Sequence, residues 1–478
     1  MADPLSVRRP ASAAVSRAPA AGPGAVVARR RTIAYLGVLS LAYEGLPDGL
    51  LERRTAEAAA GVARIREATG RDVEDLGVVS GGAGSDAAAA VASRIAHLAP
   101  AAVVVRCQGA VRADLVPALE LGGVMPVLLW SPGDHSTFPA THSPVDAVAG
   151  AGPVGAFALA NELLRAGATF RVDADPKLAP DTVAWLRAAG LAADLRSARF
   201  GTVGGPWPGM LDVALDAARF TADLGGTWEA VRLPEPDAVT PVALGSFVAP
   251  EGMTPAIVER SCRLAASLVS AAEAADLDAV AVRCHSDAVG SHPGFGVTAC
   301  LGVSLLGSRG IPATCTGDMV TAVAMFLATR LGGAAQYLEV DGPDLVRDAL
   351  LLSNGGELDL RSARRDGAGL VEQQFFSGVA GRGLAFRGVM EPGPATLLAF
   401  TPDAGGWRLI TLEGEVLDDH LAGFPVPHAF LRSSRPATAA FAALGDAGTP
   451  HHVALTPGHV ADVVAALCTL IPVGHVRL

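Results

Sequence analysis

The stretch that shows the fold most clearly lies at residues 277–285 and reads Leu-Asp-Ala-Val-Ala-Val-Arg-Cys-His. Its apolar centre predicts a short buried strand, and the polar residues directly after it predict a strand end that faces a cleft. Residues 296–307 then predict an apolar helix, and residues 311–315 predict the next strand. Strands that alternate with helices in this way indicate a parallel sheet with helices on both faces.

The same alternation extends toward the N-terminus, which predicts a first α/β unit before this one. Apolar runs predict its strands at residues 32–38, 76–80, 101–106 and 124–130. From about residue 342, short alternating runs separated by Gly, Pro and Asp turns replace the helices and predict an antiparallel barrel or sandwich. The predicted fold class is therefore α/β, with two doubly wound parallel-sheet domains followed by a β-rich, antiparallel barrel-like C-terminal domain.

These patterns divide the chain into four predicted segments. They are a disordered tail at residues 1–31, an N-terminal α/β domain at 32–170, a central α/β domain at 171–341 and a β-rich C-terminal domain at 342–478. The tail is rich in Ala, Arg, Pro and Ser, and it lacks the apolar segment of a secretory signal.

The composition is that of a chain that buries several aliphatic cores. Half of its 478 residues are hydrophobic, 18% are charged and 5% are aromatic, which excludes a largely disordered chain. No run of about 18 apolar residues occurs, so we expect no membrane partner. The net charge of −11 argues against a nucleic-acid partner, because phosphate binding needs clustered positive charge. The six cysteines form no Cys-x-x-Cys pair, so we expect reduced thiols and a cytoplasmic protein.

Lysine is nearly absent, which excludes some chemistry. Lys177 is the only lysine, and it stands in a loop-like segment. A P-loop needs a lysine on its phosphates, and Schiff-base catalysis needs an amine nucleophile. Neither function fits this chain.

Polar residues are concentrated in three regions, each of which follows an apolar run. The first spans residues 283–287, the second spans 315–318 with Glu339 downstream, and the third contains His451 and His452. Because the ends of neighbouring strands meet at one edge of a sheet, we expect the three regions to face a common cleft.

These regions carry a resemblance to a known family. Residues 281–285, 310–318, 336–339, 391–397 and 451–459 resemble, in order and spacing, segments of the L-fucose isomerase and L-arabinose isomerase superfamily. The resemblance covers roughly residues 150–478. It implies aldose–ketose isomerisation of a small sugar, an intramolecular oxidation and reduction, assisted by a divalent metal, typically Mn²⁺. It also implies a homo-oligomer, a trimer or a hexamer.

The resemblance assigns roles to individual residues, and it implies a site built from the central and the C-terminal domains. Asp318 and Glu339 would be the catalytic acid/base groups, and with His452 they would hold the metal. Contacts to the substrate would come from Arg283, His285, Thr316 and Asn354. The chain departs from the family pattern at Thr316, where the family has an acid, and at residues 353–356, where some members have a histidine. Moving a carbonyl between two carbons requires proton removal from carbon, which paired carboxylates and a hard cation assist.

Each of these residues also has a structural interpretation. Asp318 is a good cap for a helix at residues 319–331, Glu339 could be an exposed strand-end acid, and His452 could be a structural histidine. Cys284 and Cys315 are either nucleophiles or buried inert thiols. Trp130 and Trp207 either stack on a sugar ring or pack in the core. The alternative functions are a metal-independent lyase or epimerase on the same fold, and a non-catalytic sugar-binding subunit.

Overall fold

A computed structural model describes residues 31–40, 48–80, 83–123, 125–132, 138, 140–364, 366–373 and 382–478. The predicted tail at residues 1–31 lies outside the described residues, apart from Arg31. In these ranges, no helix combines the length and the apolar character that a membrane crossing needs.

The first unit is a sheet of five parallel strands in the order β2-β1-β3-β4-β5. Its strands are β1 (Ile33–Val38), β2 (Val73–Val79), β3 (Ala102–Cys107), β4 (Val127–Trp130) and β5 (Phe170–Asp173). The helices of this part are α1 (Leu50–Thr69), α2 (Asp86–Leu98), α3 (Leu115–Ala118), α4 (Pro144–Ala149), α5 (Gly152–Arg165) and α6 (Pro180–Arg196). Alternate residues of β1 point to opposite faces, so Tyr35 packs with α1 and α6 while Leu36 packs with α2 and α5.

The second unit is a sheet of four parallel strands in the order β7-β6-β8-β9. Its strands are β6 (Arg199–Val203), β7 (Thr227–Ala230), β8 (Ala279–Val282) and β9 (Ala313–Thr314). Its helices are α7 (Ala217–Leu224), α8 (Pro255–Ala274), α9 (Cys300–Ser308) and α10 (Met319–Gly332). Almost every residue of α10 is buried, because this helix packs against both the second sheet and the C-terminal unit. That position explains why α10 has no polar face.

The third unit is a closed barrel of six antiparallel strands in the order β14-β17-β10-β11-β16-β15, in which β15 pairs back with β14. Its strands are β10 (Gln336–Asp344), β11 (Ala349–Ser353), β14 (Gly393–Pro402), β15 (Trp407–Val416), β16 (His428–Ser433) and β17 (His452–Pro457). Successive residues of β14 point to opposite sides of the barrel wall. Leu397 packs inside the barrel, whereas Leu398 packs outward against α10.

Smaller elements complete the C-terminal unit. The strands β12 (Gly369–Glu372) and β13 (Leu384–Arg387) form a separate antiparallel pair, and β18 (Val473–Arg477) runs parallel to β15. Two further helices span Ala437–Asp446 and Ala461–Leu467. The predicted combination of parallel α/β sheets with a C-terminal antiparallel barrel is confirmed.

Two strands belong to a different unit from the one that the sequence analysis assigned. We assigned residues 171–173 to the central domain, but β5 pairs with β4 and completes the first sheet. We also ended the central domain at residue 341, but β10 starts at Gln336 and pairs with β11 and β17 of the barrel. An apolar run predicts a strand but not the strand that it pairs with, because that pairing depends on residues far away in the sequence.

Candidate functional site

A cavity of about 290 Å³ lies where strand ends of the second sheet meet the barrel. The loops that follow β6, β8 and β9 contribute Trp207, His285 and Thr316 to its wall. From the barrel, β10 contributes Glu339 and β17 contributes His452. The three polar regions of the sequence therefore meet at one cavity.

Glu339 and His452 are neighbours because their strands pair in that register. The antiparallel ladder between β10 and β17 sets Glu339 directly opposite His452. Side chains directly opposite in such a ladder lie on the same face and within contact distance. His452 Nε2 lies 3.4 Å from Glu339 Oε1.

Asp318 contacts the other nitrogen of the same imidazole. Its Oδ2 atom lies 2.9 Å from His452 Nδ1, and its Oδ1 atom accepts a hydrogen bond from the backbone N–H of Thr321 at 2.8 Å. One carboxylate thus both caps α10 and holds His452, so the two interpretations of Asp318 do not exclude each other. The hydroxyl of Tyr337 is 3.4 Å from Oδ2.

The row Asp318–His452–Glu339 extends from the core to the cavity. Asp318 and His452 are buried, whereas 48% of the Glu339 side chain is exposed. Burial lowers the pKa of His452, but the two carboxylates outweigh burial and raise this pKa to about 9. The hydrogen bond from His452 lowers the pKa of Glu339. At neutral pH the row is therefore an imidazolium between two carboxylates.

The loop that carries Thr316 is held in a strained conformation. Thr316 has φ +54° and Gly317 has φ +68°, both in the left-handed region that few side chains adopt. A Cβ atom on Gly317 would lie 2.1 Å from the carbonyl oxygen of Gly205. The Thr316 carbonyl in turn accepts a hydrogen bond from the backbone N–H of Trp207 at 3.0 Å. Backbone strain of this kind is concentrated at functional sites.

Thiols and one further acid line the buried part of the cavity. Cys284 Sγ lies 3.8 Å from Cys315 Sγ, and Cys300 Sγ donates to Glu357 Oε1 at 3.6 Å. Burial raises the pKa of Cys300 and of Glu357, and the Cys284 thiol together with burial raises the pKa of Cys315. Protonated thiols are poor nucleophiles, which favours the inert interpretation of Cys315.

Besides Asp318, which lies behind His452, two residues of the predicted set do not line the cavity. Arg283 donates from Nη1 to the carbonyl oxygen of Pro206 at 3.0 Å. Asn354 is buried, and its side-chain amide hydrogen-bonds to backbone groups of residues 356 and 357. Their contact with a substrate stays a prediction.

Of the two tryptophans that the sequence analysis considered for sugar stacking, only Trp207 lines this cavity. Its ring contacts His285 edge to face, with 4.5 Å between ring centroids. Trp130 is buried, and its Nε1 donates to the carbonyl oxygen of Asp175 at 2.9 Å.

The sequence analysis did not predict four of the lining residues, which are Met210, Thr298, Cys300 and Glu357. His451 stacks on His452 with 3.8 Å between ring centroids and pairs through Nδ1 with Asp212. The sequence analysis placed His451 in the third polar region, which it expected at the common cleft. Glu357 carried no signal, because an acid after two glycines is typical of an exposed loop.

The residues at this cavity do not fit a manganese ion held by Asp318, Glu339 and His452. A hard cation needs several oxygen ligands, but both oxygens of Asp318 accept hydrogen bonds within the protein. Thr316 adds only a neutral hydroxyl, which donates to the carbonyl oxygen of Cys315. Within the part of the chain that the structure describes, no three His, Cys, Asp or Glu side chains are arranged to hold a metal.

No protein-family model matches this chain, and no curated protein matches it. What the structure defines is an α/β protein with two parallel sheets and a closed C-terminal barrel. Its cavity carries a carboxylate–imidazolium–carboxylate row.

Proposed function

We propose that this protein is an enzyme that moves a proton between neighbouring carbon atoms of a small sugar, as an aldose–ketose isomerase does through an enediolate. The observation that supports the proposal is the Asp318–His452–Glu339 row at the cavity wall. The resemblance to the L-fucose isomerase and L-arabinose isomerase superfamily supports the same chemistry.

Each member of the row has a distinct part in the proposed reaction. Glu339 is kept ionised by His452, so its carboxylate accepts the proton from the carbon next to the carbonyl. The C–H electron pair forms the double bond of the enediolate, and negative charge moves to the carbonyl oxygen. Once Glu339 has taken up the proton it is neutral, so the cationic His452 can turn its Nε2–H from Glu339 to the developing oxyanion and stabilise that charge. Asp318 holds the imidazole through Nδ1. Glu339 then returns the proton to the former carbonyl carbon, and the proton of the neighbouring hydroxyl group passes to the former carbonyl oxygen, so that the carbonyl group has moved by one carbon.

The lining of the cavity favours an uncharged substrate. None of the described residues that line it is Arg or Lys, and its one strong cation, His452, is already paired with two carboxylates. A phosphorylated or carboxylated sugar would find no further positive partner there. Trp207 offers an apolar ring face, which suits the C–H side of a neutral sugar. The proposed substrate is therefore an unphosphorylated sugar.

A metal-independent epimerase is the second candidate, and the donor set favours it. Asp318 is fully buried behind His452, and both of its oxygens accept hydrogen bonds within the protein, which favours proton transfer over metal binding. An epimerase uses the same proton abstraction, but a second acid on the opposite side of the substrate then delivers a proton to the other face of the same carbon. The two candidates differ in the product, which the experiment below identifies.

The test is deuterium incorporation into unphosphorylated pentoses and hexoses in heavy water, followed by proton NMR. We expect the wild type to exchange one carbon-bound hydrogen, and Glu339→Gln to lose about 10²–10⁴-fold of this rate. Glu415→Gln is the matched control, since Glu415 is exposed on β15 and does not line the cavity. Equal exchange in wild type and Glu339→Gln would contradict the proposal. Sugar binding without exchange would favour the non-catalytic sugar-binding alternative.

Location and assembly belong to the same proposal. All six cysteines are free thiols, which supports a reducing compartment such as the cytoplasm. The family resemblance supports a trimer or a hexamer, and light scattering of the purified protein measures this directly.

A further inference from the structure

The cavity contains a buried acid that the proposed reaction does not yet use. Glu357 is 4% exposed and lines the same cavity as Glu339 and His452. A buried carboxylate lowers the stability of the folded protein unless it is paired and hydrogen-bonded or becomes neutral. Glu357 therefore calls for an explanation of its own.

Burial makes the protonated form of Glu357 easier to reach than in an exposed glutamate. Its closest side-chain partner is the Cys300 thiol, a weak hydrogen-bond donor, and Cys315 lies in the same part of the cavity. Burial raises the pKa of Glu357 and outweighs the hydrogen bonds from Cys315, from its own backbone and from Cys300, which lower this pKa; the negative charge of Glu339 adds to the rise. A protonated carboxylic acid is both uncharged and a strong hydrogen-bond donor.

The turn that carries Glu357 is built to hold it at this position. Asn354 Oδ1 accepts from the backbone N–H groups of Gly356 and Glu357, at 2.8 and 3.0 Å. Asn354 Nδ2 donates to the Glu357 carbonyl oxygen at 2.7 Å. Gly356 has φ +138°, and a Cβ atom there would lie 2.6 Å from Ala385 Cβ. The local sequence thus fixes the direction in which Glu357 enters the cavity.

We propose that Glu357 is a second acid of the site, a protonated carboxyl group that donates a hydrogen bond to a substrate oxygen, and that Asn354 is its positioning residue. The inference rests on the proposed function, because negative charge develops on the former carbonyl oxygen when the carbon loses its proton, and on the neighbouring oxygen once the hydroxyl proton has moved. His452 faces one of these oxygens and Glu357 faces the other. A donor in a buried site that meets developing charge lowers the barrier without transferring its own proton.

Two substitutions separate this role from a structural one. Glu357→Gln keeps an uncharged donor of the same shape, and Glu357→Leu keeps the volume but removes the donor. We expect Glu357→Gln to retain deuterium exchange within about tenfold and Glu357→Leu to lose about 10²–10³-fold. Both variants should unfold at or above the wild-type temperature, since each removes a buried acid. A folded Glu357→Leu variant that exchanges like the wild type would overturn the proposal.

Infrared difference spectra give a readout that needs no turnover. The wild-type spectrum minus the Glu357→Gln spectrum at neutral pH should show the carbonyl band of a protonated carboxylic acid. The corresponding subtraction for Glu339→Gln should show the bands of an ionised carboxylate. An ionised Glu357 in an active wild type overturns only its role as an acid. A wild type that exchanges no deuterium overturns the proposed function and this role with it.

Discussion

Replacing Asp318 by Asn tests the electrostatics of the site without removing the helix cap. The Asn side chain retains an oxygen that accepts from the backbone N–H of Thr321, so α10 keeps its N-terminal partner. The negative charge beside His452 Nδ1 is lost. Burial then opposes the protonated imidazole with only Glu339 left to support it, so we expect the pKa of His452 to fall from about 9.

The magnitude follows from the pKa of His452. A rise from the ordinary value of 6.5 to about 9 corresponds to about 3 kcal/mol of folding free energy. His452 is only 3% exposed, so solvent screening does not reduce this figure much. The folded protein binds this proton more tightly than the unfolded chain does. The stabilisation is therefore complete below about pH 6.5 and is lost as the pH rises through about 9.

The assay is urea unfolding of the wild type and Asp318→Asn at pH 6 and at pH 10. Groups other than His452 titrate in both proteins, so their contributions cancel in the comparison. We expect the wild type to lose more stability than the variant between the two pH values, by up to about 3 kcal/mol, because Glu339 still supports the imidazolium in the variant. Asp212→Asn is the control, because the Asp212–His451 pair is exposed and should contribute about 0–1 kcal/mol. The same pH dependence in wild type and Asp318→Asn would refute the reasoning.

Two further predictions concern the framework of the site. Gly317→Ala should lower the free energy of unfolding by at least about 2 kcal/mol, because the new Cβ would meet the Gly205 carbonyl. Gly333→Ala is the control. Gly333 also has a positive φ, but open space surrounds it, so this substitution should lower the free energy of unfolding by about 1 kcal/mol. Equal costs in urea unfolding would contradict the steric explanation. Arg71→Met should cost about 3–5 kcal/mol, because it leaves the Asp194 carboxylate buried without its 2.6 Å partner. A loss below about 1 kcal/mol in thermal or urea unfolding would show that this pair is not structurally important.

The elements of the fold could be predicted from local patterns, but the pairing of some strands could not. The run at residues 279–282 is apolar throughout because β8 is buried on both faces, and this pattern identifies it as a strand. Gln336–Asp344 shows a similar apolar start after a helix, yet it joins the barrel instead of the parallel sheet. Only the long-range ladder with β17 distinguishes the two cases.

The site was predictable where one residue carries a local signal. Asp318 stands directly before an apolar helix, and the structure shows it as the cap of α10. The adjacency of Glu339 and His452 depends on a register between residues more than a hundred positions apart, so spacing alone does not give it. The position of Glu357 depends on a turn that the Asn354 side chain holds through hydrogen bonds. The sequence analysis predicts Asn354 only as a substrate contact.

The central claim is that an ionised Glu339 and a cationic His452 act together on a sugar carbon. The most direct measurement is the deuterium-exchange rate from pH 6 to pH 10.5, with Glu339→Gln as the measure of background exchange. We predict a constant rate up to about pH 9 and a tenfold fall per pH unit above it, because His452 then loses its proton. A rate above background that stays constant or rises beyond pH 9 would contradict the claim.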